Sequence, residues 1–273
     1  MRDRYEIRLH DSFKHAPVIP FYPNSKIILF SDCHRGTGTA NDNLLKNQHL
    51  YYAALKHYYD NDFIYIELGD GDELWENRSF SAIREIHADI FNLLSCFQKC
   101  NRLHMIYGNH DYELKNNKEF VHYQGIILKE CQSKFELYLT HGNQVDFLNS
   151  VLWRLSRFLV RYVWKPLEQC GVLDPTSAAK NYKIKAKSEQ RLSQWAVKNN
   201  HYLVTGHTHR PMLGSKDTKY FNTGSCVHPS GITCIEVVNK SIALVKWSME
   251  TKNDRTLYVA RTVLAGPVMF EDL

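Results

Sequence analysis

The chain has 273 residues, of which 44% are hydrophobic and 23% charged, with a formal net charge of +5. That length suits one large domain or two small ones and can bury a substantial core. The ordinary composition excludes disordered and collagen-like chains, and the mild positive charge is compatible with an anionic substrate or surface without singling out nucleic acid.

The first two dozen residues are polar, contain Pro17, Pro20 and Pro23, and read as an extended lead-in. Their charges fall where a signal peptide needs an apolar run. Short apolar strands then alternate with helical stretches. Ile27–Phe30, Phe63–Leu68, Leu103–Tyr107, Leu137–Thr140 and Tyr202–Thr205 read as buried strands. Leu44, Leu45, Tyr51, Ala54, Leu55 and Tyr58 recur at helical spacing between the first two, and Ile83, Ile86, Ile90, Leu93, Leu94 and Phe97 between the second and third. Such alternation predicts an α/β sheet with helices packed on it. After Pro211, the runs KYFNTGS, GITCIEVV, SIALVKW and RTLYVARTV predict consecutive, mostly antiparallel strands that form a second sheet or extend the first. No apolar segment is long enough to span a bilayer. Seven cysteines, an odd number without a C-x-x-C pair, are expected to be reduced thiols of a cytoplasmic protein.

Polar residues unsuited to a core follow each apolar strand: Asp32, Cys33, His34 and Arg35; Asp70, Asp72 and Glu73; Asn109, His110 and Asp111; His141; and His207 with His209. In open α/β sheets, ligands sit beyond the carboxyl ends of strands, so these groups are expected along one rim. Asp32/His34 and His207/His209 share i, i+2 spacing, which in extended backbone points both side chains the same way. With Asp70, Asn109 and His141 they offer imidazole nitrogen and carboxylate or amide oxygen but no thiolate. That set favours manganese, iron, zinc, cobalt or nickel over a structural zinc. Seven donors exceed one tetrahedral ion and suit two divalent ions sharing a carboxylate, an arrangement that clamps the attacking and leaving oxygens of a phosphoryl displacement.

The blocks DCH, GD, GNHD, HG and GHTH, in this order from Asp32 to His209, resemble the calcineurin-like metallophosphoesterases. The resemblance implies an αββα sandwich of two mixed β-sheets flanked by helices, and two metal ions, manganese foremost. Asp32, His34 and His209 would hold one ion, Asn109, His141 and His207 the other, and Asp70 would bridge them. The expected reaction is hydrolysis of a phosphate ester or pyrophosphate bond by in-line attack of a metal-bridging hydroxide. His110 is placed to protonate the leaving oxygen, with Asp111 fixing its ring. Arg35 is the candidate substrate-binding residue, gripping a phosphate oxygen, with pairing to a carboxylate as its alternative. Cys33 is expected to turn into the packing, and Asp72 and Glu73 to lie behind the ligands or in solvent.

Within one domain spanning 1–273, residues 147–198 are expected to form a helical insertion capping the active site. On a helical wheel Arg154, Arg157, Arg161 and Lys165 share one face, flanked by Trp153 and Trp164, while Val151, Leu155, Phe158, Leu159 and Tyr162 share another. Lys180, Lys183, Lys185, Lys187 and Arg191 add charge further on. The apolar face could pack on the core, wall a phosphate-bearing substrate, or rest on anionic lipid through the 151–165 helix. This basic, aromatic insertion, with Asp70, Glu73 and Trp75, is similar to the UDP-2,3-diacylglucosamine hydrolases, which cleave a pyrophosphate bond beneath a helical lid. The chain departs from them at His110, where they carry Arg, and at Asn143, where they carry Asp. A small or lipid-linked phosphate is therefore the expected substrate. A protein serine/threonine phosphatase is an alternative, a nuclease is disfavoured by the modest charge, and a catalytically dead scaffold is disfavoured by the retained ligands.

Overall fold

In the computed structural model, residues 4–39, 41–164 and 182–273 are described. Among the described residues, twelve strands form two mixed sheets. The first contains β1 (Val18–Phe21), β6 (Gly125–Glu130), β7 (Glu136–Thr140), β8 (Tyr202–Thr205) and β9 (Tyr220–Asn222), in the order β1-β6-β7-β8-β9. The second contains β2 (Lys26–Phe30), β3 (Ile64–Leu68), β4 (Leu103–Ile106), β5 (His122–Tyr123), β10 (Ile232–Val238), β11 (Ser241–Thr251) and β12 (Leu257–Met269), in the order β12-β11-β10-β2-β3-β4-β5. Strands β2 to β5 are mutually parallel, joined through β2–β10 to the antiparallel β10–β12 meander.

Three apolar clusters define the layers. Ile27, Leu29, Ile66 and Leu68 from the second sheet meet Leu128, Leu139 and Val204 from the first. On the outside of the second sheet, α2 (Gln48–Asp60) and α4 (Ala88–Lys99) contribute Tyr51, Leu55, Tyr58, Leu94 and Phe97 to the largest cluster. On the outside of the first, α1 (Arg4–Phe13) and α7 (Tyr182–Asn199) bury Leu9, Leu192 and Trp195 against Leu203 and Tyr220. The result is the expected four-layer sandwich. A short helix, α3 (Phe80–Ile86), capped by the Ser79 hydroxyl on Ala82 N–H, leads into α4.

Three expectations are corrected here. The lead-in is not merely extended: α1 and β1 occupy it. Leu9 is sealed against α7, and Phe13 stacks on Trp195 at 5.6 Å between ring centroids, so tertiary burial outweighs a polar local composition. Pro20 is tolerated because β1 is an edge strand. Second, the five expected strands do not line one sheet. β2, β3 and β4 belong to the second, β7 and β8 to the first, so their loops approach one another across the sandwich. Third, the late strands divide: β9 joins the first sheet beside β8, while β10 to β12 extend the second.

Candidate metal centre

The turns after β2, β3 and β8 carry the polar blocks out of the sheets. The i, i+2 pairs converge, but not by strand alternation. Asp32, His34, Asp70, His207 and His209 all have left-handed backbone, with φ of 52°, 48°, 52°, 64° and 55°. Each such residue costs about 1–3 kcal/mol and persists only where its surroundings fix it. Here the loops lace together: Asp32 N–H donates to Gly69 O (3.0 Å), His34 N–H to Asp70 O (2.9 Å) and His207 N–H to Asp32 Oδ2 (3.0 Å). Gly206 is required by contact, since a Cβ there would lie 2.3 Å from Asp32 Oδ2.

The side chains gather into three overlapping groups whose donor atoms lie within 4.8 Å of one another: Asp32, His34 and His209; His34, Asp70 and His110; Asp70, His141 and His207. Asp70 belongs to two of them. His209 Nε2 is 3.0 Å from Asp32 Oδ1, and His141 Nε2 is 3.1 Å from Asp70 Oδ2. His141 directs Nδ1 at Leu68 O (2.8 Å), a donor contact that leaves Nε2 with its lone pair facing the cluster. Among the described residues, Asp32 Oδ1, Asn109 Oδ1, His141 Nε2 and His207 Nε2 are buried without a hydrogen-bond partner. Buried polar atoms are normally satisfied. Four orphaned acceptors converging beside two carboxylates therefore fit cations, and the nitrogen and oxygen donor set fits divalent ones.

Electrostatics support this. Burial opposes ionisation of Asp32, but the close approach of His209 outweighs it and holds the carboxyl at about 2. Burial likewise opposes protonation of His141, yet the Asp70 carboxylate lifts it to about 9, so the site favours positive charge at Nε2, which a metal ion supplies in place of the proton. The carboxylates thus remain anionic, ready to receive a cation.

His110 lies within the donor cluster, grouped with His34 and Asp70. Its ring stacks on Trp75 with centroids 4.2 Å apart, and Nδ1 is 2.7 Å from Glu73 Oε1. The other Glu73 oxygen is 2.8 Å from His34 Nδ1. One fully buried carboxylate therefore orients both rings. The expected contact between Asp111 and the His110 ring is not made: Asp111 accepts from Gly108 N–H (2.6 Å) and Gly71 N–H (2.8 Å), tying two loops together. Glu73 takes the role assigned to Asp111. Glu73 thus lies behind the ligands, whereas Asp146, absent from the expectation, lies 3.8 Å from His207 Nε2. The block Gly69-Asp70-Gly71-Asp72-Glu73 carried a signal for Glu73, since a carboxylate three residues after a ligand can fold back on it. Asp146 carried none.

Arg35 requires a further correction. Its side chain is 0% exposed, donates to both oxygens of Glu67 (2.8 Å each) and to Asp72 (2.8 and 3.2 Å), and lies over the Phe91 ring. Its carboxylate-pairing alternative is the one adopted, because those two acids would otherwise be buried unpaired. Cys33 is buried in the core, as expected.

The profile of the calcineurin-like phosphoesterases matches residues 25–211, about two-thirds of the chain. This chain belongs to the calcineurin-like phosphoesterase family. No curated protein matches it. Among solved structures, a conserved uncharacterised protein of Streptococcus pneumoniae TIGR4, described as a predicted phosphoesterase, aligns at 14% identity over 88% of this chain and 97% of that one, with a TM-score of 0.39. Chaetomium thermophilum Vps29 aligns at 12% identity over 89% of this chain and 96% of that one, with a TM-score of 0.44. The family is one of phosphoesterases, and the His and Asp groups above are its candidate metal-binding residues in this member.

Of the residues expected to form a helical cap, 147–164 contain α5 (Phe147–Ser150), α6 (Trp153–Leu159) and a π-helical turn (Val160–Trp164). The expected 151–165 helix thus begins at Trp153, with Val151–Leu152 separating it from α5, and passes from α-helical to π-helical geometry at Val160. Arg161 donates to Leu74 O (2.7 Å), Trp75 O (2.7 Å) and Asn77 O (3.3 Å), fastening this segment to the loop that carries Glu73. Arg157 pairs with Glu113, and Arg154 lies over the Trp153 ring. Two of the cations are therefore anchors. Val151, Leu155, Phe158 and Tyr162 remain 49–56% exposed, so this face does not pack on the core. Lys165 and Lys180 lie outside the described residues, as does the remainder of 165–181.

Among the described residues, no helix is long and apolar enough to cross a membrane.

Proposed function

We propose that this protein hydrolyses a phosphate ester or pyrophosphate bond at a centre of two divalent metal ions, manganese foremost, in the order of ligands given by the sequence. Asp32, His34 and His209 would hold one ion, Asn109, His141 and His207 the second, with Asp70 shared. The observation that carries this reading is the set of four orphaned, buried acceptor atoms from Asp32, Asn109, His141 and His207 around a carboxylate common to two donor groups. Such ions supply Lewis-acid polarisation of a phosphoryl oxygen and activation of water for attack.

The protein's own groups then govern the proton. Glu73 fixes Nδ1 of His110, so Nε2 is the atom that carries a proton to the leaving oxygen. Burial opposes that protonation, but the charges of Glu73 and Asp70 exceed it and raise the pKa of His110. Trp75 holds the ring plane. Replacing His110 by Asn tests the assignment: turnover should fall roughly 10²–10⁴-fold while metal content is unchanged. Unaltered turnover with both ions bound would remove His110 from the role.

The exposed apolar face of α5–α6, anchored beside Trp75, supports a cap whose surface meets the organic part of a lipid-linked substrate or the surface of an anionic membrane. A covering insertion disfavours a phosphoprotein, which needs an open cleft. The substrate class is tested by assaying the manganese-loaded protein on an aryl phosphomonoester, an aryl phosphodiester, a UDP-sugar lipid, a phosphopeptide and single-stranded DNA. Turnover of the aryl diester and the UDP-sugar lipid is expected. Preference for the phosphopeptide or DNA would overturn the substrate reading, and inactivity on all five the reaction class.

A further inference from the structure

A second concentration of charge lies outside the five-stranded sheet, where α1 packs beside α7. Arg4 and Arg8 of α1, Arg191 of α7, Tyr5 and Phe147 line a cavity of about 230 Å³. Arg8 Nε donates to Gln144 O (2.7 Å) and Arg191 Nη1 to Val145 O (2.8 Å). Both guanidinium groups are thereby fixed to the short loop that runs from the ligand His141 to Asp146. Arg191 also lies over the Tyr5 ring, 5.1 Å from its centroid.

Like charges four residues apart on a helix repel, and here a third cation is added. Among the described residues, none of the three arginines has a carboxylate within ion-pair distance. Nearby acids are engaged elsewhere: Glu6 with Lys198, Glu189 with Arg210 and Thr208, and Asp146 with Leu148 N–H and the Asn149 amide. Burial, then the charge of Arg191, push the Arg8 guanidinium below its ordinary pKa, with Asp146 opposing and Arg4 adding to the effect. The carbonyl and ring contacts place Arg8 and Arg191, but they supply no negative charge against three cations in one concavity. A multiply charged anion does, because guanidinium forks match phosphoryl oxygens in charge and geometry.

We propose that this cavity binds a small phosphate-bearing anion at a site separate from the metal centre, with Arg4, Arg8 and Arg191 on the phosphoryl oxygens and Tyr5 and Phe147 against the ligand's body. Arg4 and Arg8 precede the family-matched residues 25–211, so the match does not cover them. Its floor is the loop that holds His141 and Asp146, which places bound anion in mechanical contact with the metal-centre loop.

The test is calorimetric titration of the full chain with inorganic phosphate and with phenyl phosphate. It is done in an Asp70→Asn background, where the metal centre is disabled, and in parallel on the otherwise unaltered chain in EDTA. One saturable site is expected in both. Arg4→Gln should weaken it about tenfold or more, the loss of one charge-assisted contact. That side chain makes no hydrogen bond among the described residues, so the fold should survive. Phenyl phosphate should bind more tightly than inorganic phosphate if the aromatic wall is used. Undiminished binding by Arg4→Gln, or no binding in either metal-free form, would overturn the proposal while leaving the metal-centre reading intact. Equal affinity for the two anions would remove the aromatic residues from the site.

Discussion

Replacing Arg35 by Met separates a structural arginine from a substrate-gripping one. The side chain is wholly buried, and four of its N–H groups are spent on Glu67 and Asp72. Removing one partner of a buried ionic network leaves the others uncompensated and costs about 3–5 kcal/mol. Here two carboxylates are stranded at once. Burial alone would raise the Glu67 pKa, but Arg35 reverses that and holds it below the ordinary value. In the variant, Glu67 should take up a proton, which caps the loss near that range. Against a typical total of about 5–15 kcal/mol, the variant should show a large fall in urea midpoint at pH 7. Its kcat/KM, measured at low temperature on the folded fraction, should change less than about threefold, well under the roughly tenfold that 1.4 kcal/mol of lost binding would produce. A stability loss below about 1 kcal/mol combined with collapse of kcat/KM would refute the reasoning and return Arg35 to the substrate.

Further outcomes follow from the same contacts. Glu73→Gln, which weakens the hold on both His34 and His110, should lower activity or metal affinity about 10–100-fold, whereas Asp111→Asn should act mainly on thermal stability; the reverse ranking in steady-state kinetics and melting would restore Asp111 to the catalytic role. Asp42, hydrogen-bonded to the buried His87 at 2.8 Å, has a lowered pKa: burial opposes the shift, and the His87 bond and charge outweigh it. A carboxylate depressed in the folded state contributes stability above its unfolded pKa and loses it as pH falls through the folded value. Asp42→Asn should therefore be less stable than wild type by about 1–3 kcal/mol at neutral pH, and the gap should close below the ordinary carboxylate range; a gap constant with pH in urea melts would contradict the pairing. Leu155→Ser with Phe158→Ser, on the exposed face of α6, should spare aryl phosphodiester hydrolysis and reduce turnover of a UDP-sugar lipid in mixed micelles; equal loss on both would make the insertion a general support rather than a selective surface.

The residues that show which parts were legible in the sequence are those with local causes. Apolar runs such as Ile27–Phe30 announce buried strands because both sheet faces are covered. Ligand blocks are visible because charged and imidazole groups directly after such runs have no packing explanation. The convergence of Asp32 with His34, and of His207 with His209, was legible as an outcome but not in its cause, since left-handed turns rather than extended backbone bring each pair together. What stayed hidden depends on distant partners. Arg35 reads identically whether it faces substrate or Glu67, 32 residues away. Asp111 and Glu73 exchange expected roles because the orientation of a carboxylate is set by which loop N–H groups approach it. Helix α1 escapes notice because its reason to fold lies in Trp195 and Leu203, far along the chain. Division of the strands between two sheets is likewise set by crossovers that leave no local pattern.

The central claim is that Asp70 is shared by two cations ringed by donors from five separate loops. A crystal grown with excess manganese and measured at an anomalous edge tests it directly. The account predicts two peaks about 3.5–4 Å apart, one beside Asp32, His34 and His209 and the other beside Asn109, His141 and His207, with Asp70 between them. A single peak, or anomalous density only elsewhere on the molecule, would contradict it.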